Sequence, residues 1–412
     1  MKKRLVLLLA LALCLGLSAC QGEATSADPS PTAAVTAIPT PAPTPTPTPE
    51  PTPVVATLAV AGDVMSHMPQ TNDAYDAATD TYDYKPMLRY AKPILEGADY
   101  AVGNLETTLS GGPNYSGYPA FNSPDALADA LKDTGFDLLS TANNHSLDKR
   151  FGGLSRTLDV LDETGLAHVG SYRTQEERDE HSGVVLADVG GIRVAFLAYT
   201  YGTNGIPVAE GKEFSLNRFN IDYTTNMSTP DYDLMQADLA AAKAMEPDLI
   251  AVIMHWGIEY KLKQNGYQEQ LNAWLKEQGV DLVLGGHPHV LQPYVWEEGD
   301  FTCYSIGNFI SAQRDRYTDT TVIYELELTK DPYTGETTVT DVSYTPFLML
   351  NRGQGAAERF VLLDCYRALA DYENGNPEGL SAATADKLKT AIRDCHDILG
   401  AEGDKRFTSE PS

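Results

Sequence analysis

Residues 282–289 read Leu-Val-Leu-Gly-Gly-His-Pro-His, and this stretch decides how we interpret the whole chain. Its apolar start predicts a short buried strand. The two glycines that follow permit a sharp turn and a close approach of the backbone, which a crowded site needs. Two histidines on either side of a proline seldom serve packing alone. We therefore interpret His287 and His289 as functional side chains at the end of a strand.

Polar motifs follow four other predicted strands in the same way. In an open α/β sheet, ligands collect outside the carboxyl ends of the strands. Five separate loops are therefore expected to build one site. The residues that follow the predicted strands 54–61, 98–102, 137–140 and 249–254 are Asp63, Glu106, Asn144, His145 and His255.

The chemical types of these side chains suit a divalent metal centre. Two acids, one asparagine and several imidazoles form the oxygen and nitrogen ligand set that Mn, Zn or Fe ions accept. Two such ions a few ångströms apart can clamp an attacked centre and acidify a water. His145 stands next to the asparagine and could lie outside the metals, where it would protonate a leaving group. The sequence thus predicts one or two divalent ions and a hydrolase-type site.

Each motif has an ordinary structural explanation when it is taken alone. Asp63 could cap a helix, and Glu106 could be a surface carboxylate. Asn144 and His145 could satisfy backbone groups in a turn, and His255 could be a packed core histidine. Five motifs in succession, each at the end of a predicted strand, make coincidence improbable.

The order of predicted elements indicates the fold class. Strands alternate with helices in the first part of the chain, and hairpin-like strands follow later, which predicts an α/β domain with mixed sheets over residues 54–350. Beyond it, residues 351–412 are expected to form a C-terminal helical extension. Its predicted helices are Ala356–Tyr372 and Ala382–Leu399.

The first 53 residues predict an anchored, extracytoplasmic protein. Residues 1–20 have a basic start, an apolar run and a small-residue ending, as secretory signals do. Leu17-Ser18-Ala19-Cys20 is similar to a bacterial lipobox, in which Cys20 receives the lipid that holds the protein to the membrane. An ordinary cleaved signal that ends in cysteine is the alternative. Residues 21–53 are rich in proline and threonine and predict an extended disordered stalk or a featureless tail.

Charge and cysteine content narrow the function further. The net charge of −27 argues against nucleic acid as a partner. An anionic substrate must then be held by local charge. No CxxC spacing occurs, which argues against a zinc ribbon and against a thioredoxin-like redox site. Cys365 and Cys395 could form a bridge outside the cytoplasm or remain two unpaired thiols.

Six motifs together resemble a known family. GDVM, GNLE, TANNHSLD, HWGIEY, GGHPHVLQP and YSIGNF, spread over residues 57–319, resemble the capsule-synthesis (CapA, poly-γ-glutamate) proteins, a branch of the calcineurin-like metallophosphoesterase superfamily. The resemblance implies a four-layer α/β/β/α sandwich with a two-metal centre. It also implies that Glu106 bridges two metals, that Asp63 and His289 bind the first, and that the remaining ligands bind the second. Those remaining ligands are Asn144, His255 and His287.

The resemblance assigns further roles and also has gaps. His145 matches the general acid of the superfamily. Where the superfamily has a histidine two residues after the first aspartate, this chain has Met65, and whether His67 reaches inward in its place stays open. A single metal is therefore an alternative to two. Asn308 in SIGNF is expected to line the substrate side, whereas Arg352 is expected to be a surface charge.

Several functions remain compatible with these observations. One is a cell-surface enzyme in capsular polymer synthesis or processing, whose substrate is a γ-linked polyglutamate chain or a phosphoester. A second is a non-catalytic accessory component that binds polymer or the membrane proteins for synthesis and export. A stand-alone surface phosphoesterase is a third. A structural lipoprotein with a vestigial site is disfavoured because the set of ligands is intact.

Overall fold

The computed structural model describes residues 50–180 and 182–406. The predicted signal segment 1–20, its Cys20 and most of the predicted stalk lie outside the described residues. The strands are β1 (Val54–Val64), β2 (Tyr75–Asp76), β3 (Thr81–Tyr82), β4 (Tyr100–Leu105), β5 (Leu138–Ser140), β6 (Ala167–Val169), β7 (Val185–Val189), β8 (Ile192–Thr200), β9 (Leu249–His255), β10 (Leu282–Gly286), β11 (Leu291–Glu297), β12 (Asp300–Ile306), β13 (Asn308–Ile310), β14 (Thr320–Lys330), β15 (Thr337–Asn351) and β16 (Phe360–Asp364). The α-helices are α1 (Met68–Ala74), α2 (Lys85–Leu88), α3 (Lys92–Leu95), α4 (Ala126–Thr134), α5 (Arg150–Thr164), α6 (Gln175–Glu180), α7 (Tyr232–Ala244), α8 (Gly266–Glu277), α9 (Cys365–Glu373) and α10 (Ala382–Leu399). No helix in this part of the chain has both the length and the apolar composition to cross a membrane.

Two mixed sheets form the centre of the fold. The first has the order β16-β15-β14-β1-β4-β5-β6, with β13 also paired to β1, and the second has the order β11-β12-β10-β9-β8-β7. In the first sheet β1, β4, β5 and β6 run parallel, whereas β14, β15 and β16 are antiparallel. In the second sheet β8, β9, β10 and β12 run parallel and the two edge strands are antiparallel.

Alternation of side chains along the strands shows that the two sheets stack on each other. In β1, Leu58 and Val60 join a core that also contains Phe196 from β8 of the other sheet, and Ala59 joins a second core with the helix residue Leu131. In β8, the intervening Leu197 packs with helices α7 and α8. Because successive side chains of a strand face opposite sides, each sheet has one face on the other sheet and one on helices. The predicted four-layer α/β/β/α sandwich is confirmed.

The segment after β15 differs from its prediction. Residues Phe360–Asp364 form β16 and pair with β15, so the helix predicted over Ala356–Tyr372 was wrong there, and α9 begins only at Cys365. All five residues of β16 are buried, and a continuous apolar run has no periodicity that separates a buried strand from a buried helix. Cys365 and Cys395 are free, buried thiols. Of the two alternatives from the sequence, a disulfide bridge and two unpaired thiols, the structure agrees with the second.

Candidate metal centre

The predicted site residues lie where parallel strands of both sheets end. Asp63 is the second-last residue of strand β1. Glu106 follows β4, and His255 is the last residue of β9. His287 and His289 follow β10 directly. Strand β1 contacts β10 across the sandwich, so loops from the two sheets meet at one edge. All of these side chains are buried.

Glu106 is shared by two groups of potential ligands. One group is Asp63, Glu106 and His289, and the other is Glu106, His255 and His287. In each group the ligand atoms lie within 4.8 Å of one another. The Oδ1 atom of Asn144 lies 2.9 Å from Nε2 of His255, which brings the amide to the second group. The structure therefore brings together the residues that the sequence assigned to metal binding.

Three buried atoms at the centre have no hydrogen-bond partner in the part of the chain that the structure describes, and a bound cation would be a suitable partner for them. Both carboxylate oxygens of Glu106 are buried without a hydrogen-bond partner among the described residues, and so is Nδ1 of His287. The nearest imidazole nitrogen to Glu106, Nε2 of His255, is 3.5 Å away, too far for a good hydrogen bond. Burying a carboxylate without a partner is costly unless a cation binds there. Carboxylates, an amide and neutral imidazoles together fit a divalent transition-metal ion.

Asp63 is held in a fixed orientation by its neighbours. Its Oδ1 accepts a hydrogen bond from Nδ2 of Asn104 at 2.8 Å, and its Oδ2 accepts one from the backbone N–H of His287 at 3.0 Å. A Cβ on Gly286 would stand 2.6 Å from Oδ1 of Asp63, so only glycine fits there. Burial alone would raise the pKa of Asp63, but the nearby imidazoles of His289, 3.7 Å away, and His255 lower it.

The two histidines of the HPH motif stand on strained backbone. The φ angles are 95° at His287 and 59° at His289, a region that side-chain-bearing residues rarely adopt. Such strain costs on the order of 1–3 kcal/mol per residue and collects at functional sites. With this backbone, the His287 imidazole lies beside Glu106, and the His289 imidazole lies beside Glu106 and Asp63.

The environment sets the charge states of these two imidazoles in opposite directions. Burial, reinforced by the neighbouring histidines, lowers the pKa of His287 well below its ordinary value. The ring is therefore neutral, the form that binds metals. Burial also disfavours the charged form of His289, but the carboxylates of Glu106 and Asp63 outweigh it and raise its pKa to about 9. Without a cation, His289 is thus the positive charge that faces the two acids.

Asn308 lies behind His289 and is buried. It is 2% exposed, and its Oδ1 lies 3.1 Å from Nδ1 of His289. Its Nδ2 donates to the carbonyl of His289, to Gln313 and to the carbonyl of Thr318. Because every polar atom of the amide has a protein partner, these contacts indicate a role in positioning His289, and the substrate contact stays a prediction.

His145 stands beside the ligand groups with its ring held by an acid. Nδ1 of His145 lies 2.7 Å from Oδ2 of Asp148, and the ring packs edge-on against Phe121 with centroids 4.8 Å apart. The same Asp148 oxygen accepts the backbone N–H of Phe121 at 2.6 Å. Nε2 is thus the ring nitrogen available to donate a proton. The sequence prediction missed Asp148, although a histidine and an aspartate three residues apart in one turn are within reach of each other.

Comparison with known proteins places the chain in a family. The profile of the family described as "Bacterial capsule synthesis protein PGA_cap" matches residues 57–313. The chain belongs to this family. A "Capsule biosynthesis protein CapA" of Bacillus anthracis is 30% identical over 266 residues, which cover 62% of this chain and 60% of that protein. A "PGA biosynthesis protein CapA" of Bacillus subtilis (strain 168) is 27% identical over 291 residues, 70% of this chain and 71% of that protein.

Among solved structures, the "calcineurin-like phosphoesterase YfkN from Bacillus subtilis" aligns with a TM-score of 0.39 at 14% identity. That alignment covers 72% of this chain and 91% of that one.

This PGA_cap protein has no histidine two residues after Asp63, at the edge of its first ligand group. Met65 is buried and offers no oxygen or nitrogen ligand. His67, two residues on, is the N-cap of α1, and its Nδ1 lies 3.0 Å from the Met65 carbonyl oxygen and 3.3 Å from the backbone nitrogen of Ala312. Burial lowers its pKa to about 4. Neither ligand group includes His67, so Asp63, Glu106 and His289 are the candidate ligands of a first metal.

Two further residues at the centre escaped the sequence prediction. Asn104, in the GNLE motif, contacts Asp63 as described above and also lies 3.3 Å from Nδ1 of His255. It stands two positions before Glu106 and therefore on the same side of the strand, which was the available signal. Glu259, in HWGIEY, is exposed, and its carboxylate lies within 4.8 Å of ligand atoms of His287 and His289. It places an acid at the solvent side of the centre.

Proposed function

We propose that this PGA_cap protein is a metal-dependent hydrolase-type enzyme that acts on a capsular polymer outside the cell. The observation that carries the proposal is Glu106, which is shared by two ligand groups while its own oxygens have no other partner. A bound cation would explain a buried carboxylate in that state, since the charge of His289 offsets only part of the cost of burying it.

The residues divide into those that would hold the metals and those that would act on the substrate. Asp63, Glu106 and His289 would hold one ion, and Glu106 with Asn144, His255 and His287 would hold the other. The ions, one or two of Mn, Zn or Fe, would polarise the attacked bond and lower the pKa of a water. His145, held by Asp148, would donate a proton from Nε2 to the departing atom, as a general acid does.

The substrate class follows from the relatives and from one local charge. The names of the two Bacillus relatives refer to capsule and PGA biosynthesis, and this chain spans about 60% of the first of them. Glu259 places a carboxylate beside His287 and His289 at the solvent side. It would repel a doubly charged phosphoryl group more strongly than a neutral amide bond. We therefore favour a γ-linked glutamate chain over a phosphoester as the substrate.

The proposal includes a location and partners. A lipid on Cys20 and the Pro/Thr-rich segment 21–53 would tether the folded region outside the membrane. Extended polyproline conformation spans about 3.1 Å per residue, so this segment would reach on the order of 100 Å. Membrane proteins that synthesise or export the polymer are the partners we infer.

A cleavage assay tests the proposed activity. Full-length protein in detergent is incubated with Mn²⁺ and with an oligomer of γ-linked glutamate, and newly formed amines are counted as chains shorten. We expect wild type to release amines and the His287→Ala, His289→Ala double variant to release none above the buffer. Binding of the oligomer without cleavage under Mn²⁺, Zn²⁺ or Fe²⁺ would instead support the accessory role and reject the enzymatic one.

A further inference from the structure

A cationic groove lies next to the metal centre. It is lined by residues 311–314, by the facing parts of β15 and β16 with the segment between them, and by Lys387 of α10. Its volume is about 500 Å³, within the range of small-molecule sites and enough for a short stretch of a polymer. Asn351, at the end of β15, and Gly353 and Gln354, from the segment that follows it, form part of its wall.

The charge of this groove is opposite to the charge of the chain. Its lining includes three cations, Arg314, Arg359 and Lys387, and a single acid, Asp319. Within residues 50–180 and 182–406, none of the three cations has a carboxylate oxygen within 4.0 Å. In a chain with 57 acidic and 30 basic residues, a lining of three cations and one acid reverses the overall balance of charge. Neighbouring Arg316 and Arg352 differ from the three because they are paired with Asp394 and Glu378.

The groove is connected to the ligand groups through one side chain. Gln313 lines the groove, and its Oε1 accepts a hydrogen bond from Nδ2 of Asn308 at 2.9 Å. Asn308 in turn contacts His289. The other end of Gln313 donates to the hydroxyl of Tyr260 at 3.3 Å. One end of the groove therefore adjoins the centre.

We propose that this groove binds consecutive carboxylates of an anionic polymer and leads the chain to the metal centre. The identity of the polymer as a γ-linked polyglutamate rests on the proposed function. Arginine guanidinium groups pair with carboxylates through two parallel hydrogen bonds, and lysine adds a point charge. The net charge of −27 repels a polyanion from much of the surface, whereas the three cations that line the groove attract it there.

A binding experiment without metal tests the groove separately from catalysis. Full-length protein in detergent with EDTA is titrated against a fluorescent γ-linked glutamate decamer at low salt. The Arg314→Gln, Lys387→Gln double variant should bind about fivefold more weakly or worse, because each exposed pair contributes up to about a fivefold change in affinity. The matched control is Lys389→Gln, Arg393→Gln, which removes two exposed charges from α10 outside the groove and should leave binding unchanged.

Three results would overturn the proposal. They are no binding by wild type, equal affinities of the groove variant and the control, and tighter binding of polyphosphate than of the polyglutamate decamer. Equal melting temperatures of both variants establish that the fold is intact. Because EDTA removes metal, a groove that binds polymer while the cleavage assay fails would reject only the enzymatic proposal.

Discussion

Replacing Glu106 with glutamine is expected to stabilise the metal-free protein and to abolish the stabilisation that Mn²⁺ gives to wild type. The Glu106 carboxylate is buried and both of its oxygens lack hydrogen-bond partners within the described residues. Glutamine has nearly the same shape and no charge, so it removes the cost of burying an ion. The positive His289 already offsets part of that cost, so the expected gain in unfolding free energy is about 1 kcal/mol.

The loss of stabilisation by Mn²⁺ is expected to be larger than the gain in stability of the metal-free variant. A ligand at one hundred times its Kd stabilises a folded protein by about 2.7 kcal/mol. Glu106 belongs to both ligand groups, so its loss weakens both at once. Thermal unfolding with EDTA and with excess Mn²⁺ measures both effects. Glu163→Gln, which removes one exposed charge from α5, is the control and should behave as wild type. A less stable metal-free Glu106→Gln that still gains stability from Mn²⁺ would contradict the role of Glu106.

Replacing His145 with alanine is expected to leave the metal content unchanged and to slow turnover by about 10²–10⁴-fold, the usual contribution of a general acid. The side chain is outside both ligand groups, and Asp148 holds its Nδ1 so that Nε2 is the donor. An amine is a poor leaving group and needs that proton. A p-nitrophenolate leaves without one. The variant should therefore lose far more activity on γ-linked glutamate than on bis-p-nitrophenyl phosphate.

The ratio of the two losses separates an acid from a structural residue. If His145 served only to pack against Phe121, its removal would slow both substrates equally or reduce the metal content. Metal content and both rates are measured on the same preparation. His168→Ala, which removes an imidazole bonded to Asp162 far from the ligand groups, is the control. Equal slowing on both substrates would contradict the assignment.

The ligand set was predictable from the sequence because strand ends mark it. Asp63, His255 and the HPH pair each follow an apolar run, and parallel strands bring such residues to one edge of a sheet. That inference needed only the positions of the strand ends in the sequence, without any knowledge of which residues are in contact. The hydrogen-bonded partners of the ligands carry no such mark. The sequence did not single out Asp148 and did not predict that Asn308 contacts His289, because such contacts depend on which atom each side chain faces.

Two strands illustrate the limit of pattern analysis for the fold. β16 is apolar throughout its first four residues and was predicted as helix, because burial on both faces removes the alternation that marks a strand. β11 was not predicted, and it contains Pro293. Proline is tolerated on an edge strand, and β11 is the edge of the second sheet. Position within the sheet, which the sequence does not reveal, decided both cases.

Metal analysis of the purified full-length protein tests most directly whether these five loops form a cation site. Wild type and His168→Ala, after loading with Mn²⁺, Zn²⁺ or Fe²⁺ and removal of free ions, should retain about one to two equivalents of metal. The His287→Ala, His289→Ala double variant should retain almost none, because it removes one imidazole from each ligand group. Negligible metal in wild type, or equal metal in wild type and the double variant, would contradict the account.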